Sequence, residues 1–104
     1  MDTLSASLHA FLICLGTHPE AVPHGAAHHA EHLLHLLPPA DERLLLDFYG
    51  LFGTPRQTVQ AISAACSMPP ADVLARVVSC LRRLAVTPEW QVIMGEELLN
   101  GGRA

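Results

Sequence analysis

Two pairs of adjacent prolines mark the part of this sequence that has the most regular apolar pattern. Pro38-Pro39 opens that part, and Pro69-Pro70 stands inside it. Proline fixes its own φ angle and has no amide hydrogen, so it is accepted in the first turn of a helix but disrupts a helix interior. Each pair therefore predicts a point at which one helix has ended and another can begin.

The segment after the first proline pair has the features of a short amphipathic helix. Asp41 and Glu42 fall in its first turn, where the helix dipole favours negative charge. Its apolar members at helical spacing are Leu44, Leu45 and Phe48. Gly50 and Gly53 follow, and glycine is the residue that most readily ends a helix. We expect one helix between Pro39 and Gly50.

Two further helices are predicted around the second proline pair. Thr58 can cap a short helix over 59–65, and residues 67–70 then turn the chain. A longer helix follows, with an apolar stripe formed by Val73, Val77, Cys80, Leu81 and Leu84. Two consecutive helices joined by a tight turn have the outline of a helix-turn-helix.

The whole chain is expected to be all-α. It has 104 residues, few aromatic residues and only short β-branched runs, while Leu, Ala and His are abundant. A chain of this length suits one domain with a modest core. We predict a small bundle of five or six short helices, with an N-terminal helical pair in 1–36 and a last helix and tail in 86–104.

The first and last helices are predicted from apolar spacing and capping residues. Asp2 or Thr3 can cap a helix that Gly16 can end. The apolar face of this helix is formed by Leu4, Leu8, Phe11, Leu12 and Leu15. Thr87 can cap a last helix that begins at Pro88 and in which Trp90 is expected to anchor the core. Gly101-Gly102 would end it.

A histidine-rich helix is predicted over 26–37, after a loop with one helical turn near Pro19. At ~100° per residue, Ala30 and the leucines at 33, 34 and 37 share one side, and His28, His32 and His35 share the other. Two imidazoles one turn apart can share a metal ion, and Glu31 could add an oxygen. A solvent-facing helix in a His-rich chain and a pH-responsive surface are the alternatives. No cofactor is expected apart from adventitious zinc at these histidines.

About residues 37–85 resemble region 4 of bacterial sigma factors. The resemblance depends on the first proline pair, the acidic pair and Tyr49-Gly50-Leu51, and then on the later helix pair and Leu81-Arg82-Arg83-Leu84. That family reads the promoter −35 element with the second helix of a helix-turn-helix and grips the flap of the RNA polymerase β subunit with its first helices. The resemblance therefore implies a sigma-region-4-like helix-turn-helix in the C-terminal half and a bacterial, cytoplasmic protein of transcription.

The positions that read DNA in this family are changed in this chain. An Arg-Glu-Arg-like run and a later Arg-Gln pair are replaced by Pro69, Pro70, Ala71, Asp72, Leu74 and Ala75. None of these is a good reader of base edges, which takes Arg, Lys, Asn or Gln. The usual turn glycine is Ser67, and Arg76 occupies an apolar position of the second helix. The docking surface therefore resembles the family more closely than the reading surface does.

The resemblance implies two sets of site residues. The expected partner surface, for the polymerase β flap or a sigma factor, comprises Asp41, Glu42, Leu45, Tyr49, Leu51 and Phe52. Contacts to DNA phosphates, if they form, would use Arg56, Arg76, Arg82 and Arg83. We expect regulation by protein contact with little or no specific DNA reading. A protein–protein adaptor or oligomerising helical module unrelated to transcription is the first alternative, and a helix-turn-helix DNA-binding regulator is the second.

Charge, cysteine content and motifs limit the other functional classes. The formal charge is −4, and the acids are concentrated in 1–53. Cys14, Cys66 and Cys80 have no metal-type spacing, so we expect buried thiols in a reducing cytosol. There is no phosphate-binding loop, nucleophile elbow, secretory pattern or apolar run of about 20 residues. We therefore expect a cytoplasmic protein that is not an enzyme.

Overall fold

The computed structural model describes the backbone of residues 1–101 and the side chains of residues 1–95. Within these residues the chain forms six α-helices and a 3-10 turn at Pro19–Ala21, with no strand. The helices are α1 Thr3–Thr17, α2 His24–Leu34, α3 Pro39–Tyr49, α4 Val59–Cys66, α5 Pro70–Ala85 and α6 Pro88–Gly101. The all-α prediction is confirmed. None of these helices is long and apolar enough to cross a bilayer.

Helix α5 lies at the centre of the bundle. It packs against α1, α3, α4 and α6, and α2 packs against α6. All five residues of its predicted apolar stripe are buried, as is Trp90 of α6. The buried apolar side chains of all six helices form one continuous cluster. The 3.6-residue period thus identified correctly which face of α5 is covered.

Both predicted threonine caps form, whereas Asp2, the N-cap of α1, makes no side-chain cap hydrogen bond. The Thr58 hydroxyl accepts a hydrogen bond from the Ala61 amide at 3.0 Å, and the Thr87 hydroxyl accepts one from the Trp90 amide at 3.3 Å. Pro39, Pro70 and Pro88 each begin a helix. Prolines at these positions cost little because the first amides of a helix have no intrahelical acceptor.

Three predicted boundaries differ from the structure. Gly16 does not end α1, which continues to Thr17. The histidine helix begins at His24 rather than at residue 26. It ends at Leu34 rather than at Leu37, which precedes Pro38 and is therefore disfavoured in the helical region. Helix α4 extends one residue further, to Cys66. The predicted stop at Gly101-Gly102 falls partly outside the described residues.

Helices α4 and α5 are consecutive and packed against each other. Ser67 ends α4 in the left-handed conformation, with φ of 54°, and Pro69 precedes α5. Serine therefore occupies a backbone conformation that glycine adopts more readily. Both helices of the predicted helix-turn-helix segment are therefore present.

Candidate functional site

The loop after α3 is the most unusual backbone segment of the described chain. Gly50 ends α3 with φ of 69°, and the amides of Gly50 and Leu51 both donate to the Leu46 carbonyl, at 2.9 and 3.1 Å. This is the hydrogen-bond pattern of a glycine-terminated helix. Phe52 and Gly53 continue with positive φ angles of 52° and 79°. The loop between α3 and α4 thus contains three of the four positive φ angles in the described residues.

Phe52 is strained and exposed at the same time. A positive φ is uncommon for a residue other than glycine, asparagine or aspartate and costs on the order of 1–3 kcal/mol. Its side chain is nevertheless 42% exposed, whereas neighbouring Leu51 is completely buried. Strained backbone of this kind occurs often at functional sites, so the φ angle of Phe52 makes this residue a candidate for a functional role.

The ring of Phe52 lies between two surface hollows. One, of about 280 Å³, is formed by α2, α3 and the loop, and we call it the Phe52 groove. It is lined by Glu31, Leu34, His35, Glu42, Leu46, Phe52 and Thr54. The second hollow, of about 390 Å³, is also lined by Phe52 and includes Gly16 and Pro19. The groove has an apolar floor with two carboxylates at its rim.

One rim contact joins the two sets of residues that the sequence singled out separately. His35 Nδ1 lies 2.5 Å from Glu42 Oε2, and the imidazole is mostly exposed. His35 belongs to the predicted histidine face and Glu42 to the predicted partner surface. The fold therefore brings the end of α2 against the first turn of α3.

The predicted partner surface is divided between the core and the exterior. Leu45 and Leu51 are completely buried, and Tyr49 and Asp41 are nearly so. These four side chains stabilise the bundle and present almost no surface. Of the six predicted residues, Phe52 is exposed and Glu42 is partly exposed. A partner could therefore contact this set mainly through the Phe52 groove.

Asp41 joins α3 to α5 through arginine. Arg76 Nε donates to Asp41 Oδ1 at 2.7 Å, and Arg83 Nη1 lies 4.0 Å from Asp41 Oδ2. The hydrogen bond to Asp41 raises the pKa of Arg76 above its already high ordinary value. A buried carboxylate requires such partners. Two of the four arginines proposed for phosphate contact are thus paired within the chain.

The opening of α5 is exposed but chemically unsuited to reading DNA. Ala71, Asp72, Leu74 and Ala75 all lie on the surface, and Leu74 is 46% exposed. Methyl groups can contact thymine, but none of these side chains donates to guanine or adenine edges. Asp72 would repel phosphate. Arg56 and Arg82 are exposed and remain the stronger candidates for phosphate contact.

The histidine face is present as predicted. His28, His32 and His35 are all exposed, while Ala30, Leu33, Leu34 and Leu37 are buried. His28 Nε2 and His32 Nε2 are 3.3 Å apart. His35 is turned to Glu42 instead. In the described part of the chain, no three His, Cys, Asp or Glu side chains are arranged to hold a metal ion.

A polar contact that the sequence did not suggest joins α1 to α3. His9 Nδ1 and the Tyr49 hydroxyl are 2.7 Å apart. Burial raises the pKa of Tyr49, so its hydroxyl stays protonated and can donate to His9. The two rings line a small hollow of about 200 Å³ that also includes Arg56. Residues 40 positions apart in sequence carry no spacing signal that could have revealed this pair.

The three cysteines are free and differ in exposure. Cys80 is buried as expected, and burial raises the pKa of its thiol to about 11. Cys14 is half-buried, and Cys66 is exposed, so the expectation of three buried thiols is wrong for Cys66. Cys66 is the last residue of α4, where the apolar face has already turned away from the core.

Comparison with protein-family models, with curated proteins and with solved structures gives no match for this chain. The resemblance to sigma region 4 therefore stays a prediction that depends on the residues quoted above.

Proposed function

We propose that this protein is a transcription-associated regulator that acts by protein contact with RNA polymerase or a sigma factor and does not read DNA sequence. The proposal combines the region 4 resemblance of residues 37–85 with the surface chemistry of the folded chain. It assigns the α4–α5 pair a scaffold role and the Phe52 groove a docking role.

The observation that carries the proposal is the exposed opening of α5. A DNA-reading helix would present amide or guanidinium groups there, whereas this helix presents an acid and apolar side chains, with Leu74 the largest. Two of the three arginines on the same helix, Arg76 and Arg83, are paired with Asp41, which leaves Arg82. Sequence-specific contact with DNA is thus disfavoured and the charge available for phosphate contact is reduced, while apolar surface for protein contact is retained.

The Phe52 groove supports contact with a basic partner segment. Its floor holds the strained, exposed Phe52 ring, and Glu31 and Glu42 lie at its rim. Aromatic side chains, phenylalanine among them, are enriched at the centres of protein interfaces. Glu42 already contacts His35, so Glu31 is the carboxylate that would favour lysine or arginine at the edge of the partner through charge complementarity.

Direct binding measurements test the proposal. The purified protein is immobilised, and purified bacterial RNA polymerase core, its isolated β flap domain and a principal sigma factor are passed over it in turn. We expect saturable binding to at least one of them. Absence of binding to all three by a folded protein would overturn the proposed function.

A matched pair of variants tests the docking surface. Phe52→Asn removes the ring while keeping a residue that tolerates positive φ. We expect it to weaken binding by about tenfold or more, as loss of a dominant interface side chain does. Val86→Asn, at a more exposed apolar position beyond the end of α5 (68% exposed, against 42% for Phe52), should bind as the unaltered protein does. Equal loss of binding affinity in both variants would show that the Phe52 groove is not the docking surface.

The alternatives give different outcomes in the same experiments. A protein–protein adaptor unrelated to transcription, whose apolar contacts would include exposed Leu74, binds none of the three transcription proteins. A helix-turn-helix DNA-binding regulator retards a DNA duplex in a gel. For the proposed function we expect no sequence-dependent retardation. Any retardation at low salt should disappear in the Arg56→Ala, Arg82→Ala double variant.

A further inference from the structure

The spacing of two exposed histidines on α2 matches the spacing of two ligands on one metal ion. His28 and His32 lie one turn apart, their Nε2 atoms are separated by 3.3 Å, and their rings are nearly perpendicular at 87°. Two Zn–N bonds of about 2.0–2.1 Å at a tetrahedral angle place the nitrogens about 3.3–3.4 Å apart. The two imidazoles are therefore already at ligand-to-ligand distance.

We propose that His28 and His32 form a clamp for a divalent transition metal ion of the Zn²⁺, Ni²⁺ or Cu²⁺ class. Imidazole nitrogen suits these ions, whereas Mg²⁺ and Ca²⁺ require oxygen ligands. The remaining coordination positions are filled by water or by a ligand from a second molecule. This inference does not depend on the proposed function.

The clamp needs little rearrangement of the metal-free chain. At 3.3 Å, one neutral imidazole can donate its Nε2–H to the other. When metal binds, that proton moves to Nδ1 of the same ring, so both Nε2 lone pairs are available and no proton is lost. Both rings are exposed, and rotation about the broad terminal torsion directs the two lone pairs to a common point.

Within the described residues no third His, Cys, Asp or Glu side chain is placed to complete the site, so the clamp has two protein ligands. His35, the next histidine toward the C-terminal end of α2, contacts Glu42 through Nδ1 at 2.5 Å, and its ring centre is 6.4 Å from that of His32. We therefore expect an exchangeable site that binds metal from solution. Because the clamp spans one helical turn, the ion binds folded α2 better than the unfolded chain. Metal binding therefore stabilises the folded protein.

Calorimetric titration with zinc chloride in a non-chelating buffer at neutral pH tests the clamp. We expect one ion per unaltered chain, with affinity lowered about tenfold or more in both His28→Ala and His32→Ala, because losing a ligand costs at least as much as losing its outer-shell partner. His18→Ala, which removes an exposed histidine outside α2, should bind as the unaltered chain does. Alanine is a better helix former than histidine, so neither α2 variant should unfold the helix.

Two results would overturn the proposal. One is the absence of saturable zinc binding by the unaltered chain. The other is binding that His18→Ala reduces as much as His28→Ala and His32→Ala do. A thermal melt gives an independent reading, because zinc should raise the midpoint of the unaltered chain and of His18→Ala but not of the two α2 variants.

Discussion

Gly16 lies where α1 and α3 approach most closely, and its replacement tests the fold directly. A Cβ atom at this position would lie 2.0 Å from the Tyr49 carbonyl oxygen and 3.1 Å from the Tyr49 carbonyl carbon. The obstacle is the backbone of α3, which cannot rotate away as a side chain can. Since ordinary contact begins at 3.4 Å, Gly16→Ala requires α1 and α3 to separate by about 1.4 Å.

The expected loss of stability follows from two opposing effects. Alanine in a helix is favoured over glycine by about 0.5–1 kcal/mol. Overpacking of a filled interior costs typically about 1–3 kcal/mol. Separating the helices also strains the His9–Tyr49 hydrogen bond, which is worth about 1 kcal/mol. We expect Gly16→Ala to lower the free energy of unfolding by about 2–3 kcal/mol, using the central estimates above.

The assay is equilibrium unfolding in urea, followed by helical circular dichroism and by fluorescence of Trp90. Trp90 is the only tryptophan and is buried, so its emission reports on the core. For a domain of this size a loss of 2 kcal/mol also lowers the thermal midpoint by about 10 °C. Both readings should agree if unfolding is two-state.

Gly95→Ala is the matched control, because Gly95 lies in α6 and a Cβ there meets no atom within 4 Å. The same substitution should stabilise the protein by about 0.5–1 kcal/mol at this position. Opposite signs at the two sites are the expected outcome. If Gly16→Ala is neutral or stabilising like Gly95→Ala, the close approach of α1 to α3 is refuted.

Two further predictions concern ionisable side chains that differ in burial. Cys66 should react with Ellman's reagent in the native state at pH 8, because its thiol is exposed. Cys80 should react only after unfolding, because it is buried and the pKa of its thiol is raised to about 11. Comparison of Cys66→Ser with Cys80→Ser shows which thiol reacts. Because burial raises the pKa of Tyr49, the native state keeps a proton that the unfolded chain loses above about pH 10. Stability should therefore fall as pH rises beyond that value, and less steeply in Tyr49→Phe; equal slopes would contradict the burial of this hydroxyl.

The helices were predictable because local interactions determine them. Thr58 caps α4 with its own hydroxyl. Pro39 and Pro70 occupy the first positions of their helices, where a backbone amide hydrogen has no intrahelical acceptor. These effects act within one or two turns, so they can be recognised in a single sequence. The same local pattern identified the buried stripe of α5 and the exposed histidine face of α2.

The candidate site was predictable only in part. The sequence analysis placed both Leu51 and Phe52 in the expected partner surface, but the pattern could not separate Phe52, which is exposed, from Leu51, which is buried. That difference arises from the positive φ angles of the loop. Likewise, Arg76 was expected to contact phosphate, whereas the fold places it against Asp41, 35 residues earlier.

By itself, the sequence determined where helices form and which face of each is apolar, because capping, proline geometry and the 3.6-residue period are properties of neighbouring residues. The tertiary structure decided which faces meet. Gly16 against Tyr49, Asp41 against Arg76 and His35 against Glu42 are contacts between helices, set by how the apolar faces fit together. Such contacts depend on the packing of the entire core, which no local pattern encodes.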